Sequence, residues 1–252
     1  MTMPAGSTSS QSRVSEAVIL MAGSGSRLRG SDQTFLKPLV PVAGRPLISY
    51  TIQALANAGI TKINAVIGFE GERLRTAVTK LIPSNIETRF IENRDWEKKN
   101  GVSLLTAAKH VDGPFLLTMS DHLFDTAAIE RLITLANLSE LNVAIDRKVD
   151  RIFDLADAMK VQTRGDRVVA IDKALEKYDA IDVGLLICPR EVFDYLERAK
   201  TDGDCSLAEG MDAMARDGKV RGIDIGEAWW QDVDTPEMLR EAEEKLRALA
   251  RN

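Results

Sequence analysis

The chain of 252 residues contains one stretch whose residue types and spacing suit phosphate. Met21-Ala-Gly-Ser-Gly-Ser-Arg-Leu-Arg29 directly follows an apolar run, and Phe35-Leu-Lys-Pro-Leu39 comes shortly after it. Closely spaced glycines let backbone N–H groups approach an anion, and a loop at a strand's C-terminal end is where α/β sheets bind ligands. Arg27 and Lys37 add two cations to that loop, a combination suited to a polyphosphate. Asp121 is the next candidate. It follows another apolar run, residues 115–119, after one serine, where a carboxylate can hold Mg2+ beside bound phosphates. Its competing role, the N-cap of a helix starting at Thr126, falls more naturally to Asp125.

Other chemistries lack their residues. A GxGxxG dinucleotide fingerprint needs a third glycine after Gly23 and Gly25, and no GxxxxGK[ST] run occurs. His122 follows Asp121, but a neighbour on an extended segment faces the other way, which gives it a structural role. With two histidines in the chain, there is no cluster for zinc. Cys205 and Ser206 have no nearby histidine to activate them as nucleophiles.

The elements that must position these residues can be read from periodicity. Short apolar runs at 17–21, 62–67, 86–91, 115–119 and 141–145 read as strands, and amphipathic segments at 46–58, 72–81, 102–109 and 126–136 read as helices. This alternation predicts an α/β fold, a doubly wound and mostly parallel mixed sheet with helices on both faces. Residues 158–162 and 167–171 flank Arg164-Gly165-Asp166 and read as an antiparallel hairpin. A strand at 181–187, helices at 191–198 and 207–216, and a strand at 220–225 follow. In the last helix, from Pro236 to about residue 250, Leu239, Ala242, Leu246 and Leu249 make one stripe expected to be buried. Residues 1–14, rich in Ser, Gly and Thr, read as a flexible leader, and residues 15–252 as one domain.

Composition narrows the partners. The net charge of −5 argues against a nucleic-acid surface, which needs clustered Lys and Arg. The longest apolar run, residues 17–22, is far short of the ~20 residues of a membrane span. Cys188 and Cys205, without CxxC spacing, suggest a reducing cytoplasm. A small-molecule partner is what remains, and a homodimer is left open.

Ala22-Gly-Ser-Gly-Ser-Arg-Leu28 with Lys37-Pro-Leu39 resembles the signature of nucleotidyltransferases that join an NTP to a phosphorylated sugar or alcohol. The likeness continues through Gly44-Arg-Pro-Leu-Ile48 and Ala58-Gly-Ile60 and spans nearly all of the chain from residue 16. Asn100-Gly-Val-Ser-Leu-Leu105, Met119-Ser-Asp-His122, Ala158-Met-Lys-Val161, Asp179-Ala-Ile-Asp-Val-Gly184 and Trp230-Gln-Asp-Val-Asp-Thr-Pro236 look most like CTP:inositol-1-phosphate cytidylyltransferases. The resemblance implies a Rossmann-like nucleotidyltransferase fold and a Mg2+-dependent enzyme. Its substrates would be a nucleoside triphosphate and a small phosphorylated acceptor, joined with release of pyrophosphate.

Carried onto this sequence, the resemblance assigns Arg27 and Lys37 to catalysis. It gives the nucleotide to Ala22, Gly23, Ser24, Gly25 and Ser26, with Asn100, Gly101 and Ser103 near base and ribose. Lys173, Asp182 and Gly184 go to the acceptor, Lys173 as the partner of its phosphate, and Glu70 is a weaker candidate for the base. The metal ligands would be Asp121 and an aspartate of Trp230-Gln-Asp232. Asp234 points to the same side as Asp232 if the stretch is extended, but it also sits where a cap for the helix at Pro236 would sit, so Asp232 ranks first. Relatives that use phosphocholine or a sugar 1-phosphate (GDP-mannose or UDP-sugar type) remain alternatives. A glycosyltransferase would carry a DxD after a central strand, which Asp121-His-Leu lacks. A non-catalytic nucleotide-sensing domain would usually have lost the loop arginine, the lysine or the aspartate.

Overall fold

The computed structural model describes residues 14–29 and 35–249. The elements begin with β1 (Glu16–Met21), α1 (Ser26–Arg29), a 3-10 turn (Lys37–Leu39), β2 (Pro41–Val42), β3 (Arg45–Pro46), α2 (Leu47–Asn57) and β4 (Lys62–Ile67). Next come α3 (Gly71–Thr79), β5 (Glu87–Glu92), α4 (Asn100–Thr106), β6 (Phe115–Met119), β7 (His122–Phe124), α5 (Thr126–Leu135) and β8 (Leu141–Asp146). The rest are β9 (Lys160–Arg164), β10 (Arg167–Asp172), β11 (Ala180–Cys188), α6 (Val192–Ala199), α7 (Leu207–Arg216), β12 (Val220–Asp224), β13 (Trp230–Asp232) and α8 (Pro236–Leu249).

The large sheet runs in the order β5-β4-β1-β6-β11-β8-β12-β10-β9. From β5 to β12, only β11 is reversed against its neighbours, so this part is the expected mostly parallel mixed sheet. β9 and β10 form the expected hairpin, turning at Gly165, where φ is +67°, a value glycine adopts without strain. β9 also pairs back onto the start of β11, which folds the hairpin over the sheet.

Strands covered on both faces read as continuous apolar runs, and β1 shows why. Ala17, Ile19 and Met21 join the core under α2, α3 and α5, whereas Val18 and Leu20 join the core under α4, α6 and α7. A third, smaller cluster of Val42, Leu47, Leu123, Val233 and Ala242 ties β2, β7 and α8 together. It lies beside the candidate site.

Most elements fall where periodicity placed them. The helix expected at 102–109 is instead α4 followed by a separate 3-10 turn, Ala108–His110. The stripe expected on the last helix is corrected: Met238 and Ala242 are buried, Leu239 and Leu246 are partly buried, and Leu249 is 46% exposed. α8 lies over the small cluster as far as Leu246, and its last turn projects beyond it. Asp125 takes the N-cap position of α5, but its side chain accepts from Trp229 N at 2.7 Å and so holds the β13 segment. The expected leader lies outside the described residues except for Val14, which is buried.

Candidate active site

β1 ends at Met21 and the chain turns through Ala22, Gly23, Ser24 and Gly25 into α1. The Ala22 carbonyl accepts from Phe69 N at 2.9 Å, anchoring the start of the turn. Gly25 has φ +62°, and a Cβ there would lie 2.6 Å from Lys37 Cβ. Glycine is therefore required for the loop to close over the lysine. Lys37 begins its 3-10 turn in a buried position, and its Nζ donates to Asp121 Oδ2 at 2.6 Å and to Asp234 Oδ1.

The two aspartates meet because of the short pairing of β7 with β13. Ser120 N donates to Leu20 O at 3.0 Å, keeping Asp121 at the end of β6 beside β1. Val233 N donates to Asp121 O at 2.9 Å, continuing the β13–β7 ladder and placing Asp234 next to the same lysine. Asp234 is not the cap of α8, because Thr235 Oγ1 accepts from Met238 N at 3.2 Å. Asp232, ranked first from sequence, pairs with His122 across the ladder, and Asp234 is the aspartate in contact with Lys37.

Charge sets the protonation here. Burial alone would raise the Asp121 carboxyl, but Lys37 and His122 outweigh it and hold it well below the usual carboxylate range. Burial would lower the Lys37 ammonium, and the two aspartates instead raise it. Asp232 is pushed up by burial and, against the pull of His122, by the charges of Asp234 and Asp121. His122 Nδ1 donates to Asp121 Oδ1 at 2.6 Å, and its ring stacks on Trp230 with centroids 6.3 Å apart. The histidine thus turns back onto the aspartate, in a supporting role.

Two cavities adjoin at this point. One, of about 630 Å³, is lined by Ala22, Gly23, Ser24, Gly25, Ser26 and Arg27, and Lys37, Ser103 and Asp121 also face it. The other, of about 710 Å³, is lined by Lys173, Asp182, Gly184, His122, Asp146 and Asp232. Asn100, Met119 and Asp234 border both. Lys173, expected from sequence to face the acceptor, donates to Asp157 Oδ1 at 2.6 Å, while Arg27 donates to Asp157 Oδ2 at 2.5 Å and to Asp234. Hydrogen bonding to Lys173 and Arg27 keeps Asp157 below the ordinary carboxylate value, despite partial burial. Asp182 has no such ion pair: burial pushes it up to about 6, although Gly184 N donates to its Oδ1 at 2.8 Å and the charge of His122 pulls the other way.

Some expected residues have local structural duties. Gly101 lines neither cavity, and a Cβ there would lie 2.6 Å from Cys205 O, so it lets α4 pack on the chain before α7. Asn100 Oδ1 accepts from Leu207 N at 2.8 Å, and Ser103 Oγ accepts from Asn93 Nδ2 at 3.0 Å. Gly184 has φ +72°, and a Cβ there would lie 2.4 Å from His122 Nε2, so the glycine makes room for the ring. Glu70 pairs with Arg73 and lines neither cavity. Asp157 and Asp146 carry no sequence signal, Asp157 because its stretch has no periodicity and Asp146 because it ends a buried strand. Among the described residues, no group of three or more His, Cys, Asp or Glu side chains is placed to hold a metal ion.

A mixed α/β sheet with a glycine loop, a buried lysine and paired aspartates at its strand ends is the framework of a nucleotidyltransferase. The chain belongs to the MobA-like NTP transferase domain family, which matches residues 17–217. It is 36% identical to the bifunctional IPC transferase and DIPP synthase of Thermococcus kodakarensis, over 91% of this chain and 50% of that protein. With the protein of the same name from Aquifex aeolicus it shares 32% identity, over 92% of this chain and 52% of the other. The chain thus spans about half the length of these relatives. In fold it matches the inositol-1-phosphate CTP transferase of T. maritima, with TM-score 0.81, 24% identity and coverage of 92% and 97%. It also matches a UDP-glucose pyrophosphorylase of Acinetobacter, with TM-score 0.75, 17% identity and coverage of 94% and 98%.

Proposed function

We propose that the chain transfers the cytidylyl group of CTP to inositol 1-phosphate, releasing pyrophosphate. The observation that carries the reading is the Lys37 ammonium held between Asp121 and Asp234 where the two cavities meet. In the reaction an acceptor phosphate oxygen forms a bond to the α-phosphorus of the triphosphate as the bond to pyrophosphate breaks. A phosphate monoester, with a second pKa of about 6, is already mostly dianionic at neutral pH, so no general base is needed. The obstacle is repulsion between anions, which positioning and charge neutralisation overcome.

The residues supply those parts. Backbone N–H groups from Gly23 to Ser26, together with Arg27, hold the triphosphate. Lys37 neutralises charge moving onto pyrophosphate, and Lys173 holds the acceptor phosphate. Two carboxylates already converging on one small cation form a donor set that fits Mg2+, which takes few protein ligands beside phosphate oxygens. Asp121 and Asp234 would hold that ion, with Asp232 adjoining, and it would supply further neutralisation of phosphate charge. Hydroxyls of a polyol find acceptors in Asp146 and Asp182. A choline head would prefer an aromatic cage, whereas the Trp230 ring is committed to Asp146, at 3.0 Å from Nε1, and to His122. Both cysteines are unpaired and buried, which supports a reducing cytoplasm as the place of work.

The test is pyrophosphate release with each of four NTPs against the 1-phosphates of inositol, mannose and glucose and against phosphocholine. CTP with inositol 1-phosphate should lead. Faster release with another pair would reassign the substrates, and no release with any pair in Mg2+ would remove the catalytic reading.

A further inference from the structure

Six charged side chains form an unbroken line across the junction of the two cavities. Asp121, Lys37, Asp234, Arg27, Asp157 and Lys173 each touch the next, with the sign alternating throughout. Five of them belong to the phosphate-handling set. Asp157 does not: it comes from the turn-rich stretch between β8 and β9, and it divides its two oxygens between cations assigned to different substrates. Arginine and lysine bind carboxylate and phosphate oxygens through the same charged hydrogen bonds.

We infer that Asp157 is an exchangeable counter-ion that positions Arg27 and Lys173. It holds both cations while the site is empty, yields them to the phosphates of the two substrates, and reclaims Arg27 as pyrophosphate leaves. The inference rests on the assignment of Arg27 to the triphosphate and Lys173 to the acceptor phosphate.

Burial decides which end of the line opens. Side-chain exposure is 57%, 38% and 50% for Arg27, Asp157 and Lys173, against 10%, 23% and 15% for Lys37, Asp121 and Asp234. Exposed ion pairs are weak, so a phosphate carrying more charge than a carboxylate displaces Asp157. Withdrawing Lys37 would instead strand two aspartates in a place with little water. The stretch around Asp157 is lightly pinned: Asp157 N reaches Asp154 Oδ1 at 3.4 Å, and nearby Phe153 is 51% exposed. Few apolar contacts place it at the low-stability end of the molecule, where a small displacement is easy.

The experiment is calorimetric titration of the intact chain with inorganic pyrophosphate at fixed Mg2+. Asp157→Asn should bind pyrophosphate about threefold tighter or more, since its weak competitor is gone. Asp157→Glu, which restores the charge, should stay within about twofold of the unsubstituted chain. In an Arg27→Met background, Asp157→Asn should give no gain. In turnover, Asp157→Asn should show lower KM and lower kcat, with stronger inhibition by pyrophosphate. Equal or weaker pyrophosphate binding by a folded Asp157→Asn variant, or a gain that survives loss of Arg27, overturns the inference. An unsubstituted chain that binds no pyrophosphate overturns the Arg27 assignment as well; binding without a gain in the variant overturns the exchange alone.

Discussion

Lys37 and Lys173 each face an aspartate at 2.6 Å, yet they sit in opposite surroundings. Lys37 is buried between two carboxylates from distant parts of the chain, and Lys173 lies open at the cavity of about 710 Å³ with one. In the first setting removal of one charge leaves others uncompensated where little water reaches them, and in the second solvent replaces whatever is lost. Burial fixes the first pair in place, and the second is the contact that the exchange inferred above would open. Asp182 supplies a third case, a carboxyl as buried as Asp121 but with no cation hydrogen-bonded to it, only the more distant pull of His122. The two shift in opposite directions, so the partner rather than the depth decides whether the charge is kept.

The largest expected effect tests the buried end. Lys37→Met should lower kcat by about 10²-fold or more, as does the loss of one stabiliser of developing charge elsewhere. Steady-state pyrophosphate release measures it, and near-normal turnover would put Lys37 outside the mechanism. Gly184→Ala forces an alanine to φ +72° and drives its methyl into the His122 ring, so it should destabilise the fold by about 2 kcal/mol. Chemical denaturation reads that loss. Restoration of stability by a second change, His122→Ala, would show that the ring contact rather than the backbone carries it.

Asp182 gives a pH signature. Its folded value, about 6, lies above the ordinary 3.8, so the native chain holds its proton more tightly than the unfolded chain. Its contribution to stability is therefore full below pH 3.8 and is lost as the pH rises through 6. The loss should be about 1–2 kcal/mol, reduced because the cavity admits water. Asp182→Asn should flatten that slope in denaturation curves taken between pH 4 and 7, and an unchanged slope would assign the effect elsewhere. Smallest of all, Lys173→Met should change stability by less than about 0.5 kcal/mol, as for other exposed pairs. It should nevertheless raise KM for the acceptor without a matching fall in kcat. A large stability loss would erase the contrast with Lys37.

How much of this was legible depended on element length. Residues 62–67, 115–119 and 207–216 are strands and a helix over the very spans that periodicity marks, because their burial repeats along the chain. β7 and β13, with three residues each, are too short to show a period, and they are the pairing that assembles the acidic site. The rank of Asp232 above Asp234 rested on a capping role that Thr235 performs instead. Asp157 was invisible because its partners lie 130 and 16 positions away in opposite directions, and nothing around it repeats.

The amino-acid sequence by itself determined the order of strands and helices, the glycine loop with its arginine and lysine, and the family to which the chain belongs. The elements and the loop follow from local backbone preference and apolar periodicity, which act over a few residues, and the family follows from the resemblance of the motifs. Only the tertiary structure decided which aspartate meets Lys37 and what spans the two cavities. The lysine and Asp234 are 197 positions apart, and a three-residue ladder sets the side to which each acid points. A slip of two residues in that register would bring Asp232 to the place of Asp234, whereas a slip of one would turn both acids away from the lysine, because side chains alternate faces along a strand.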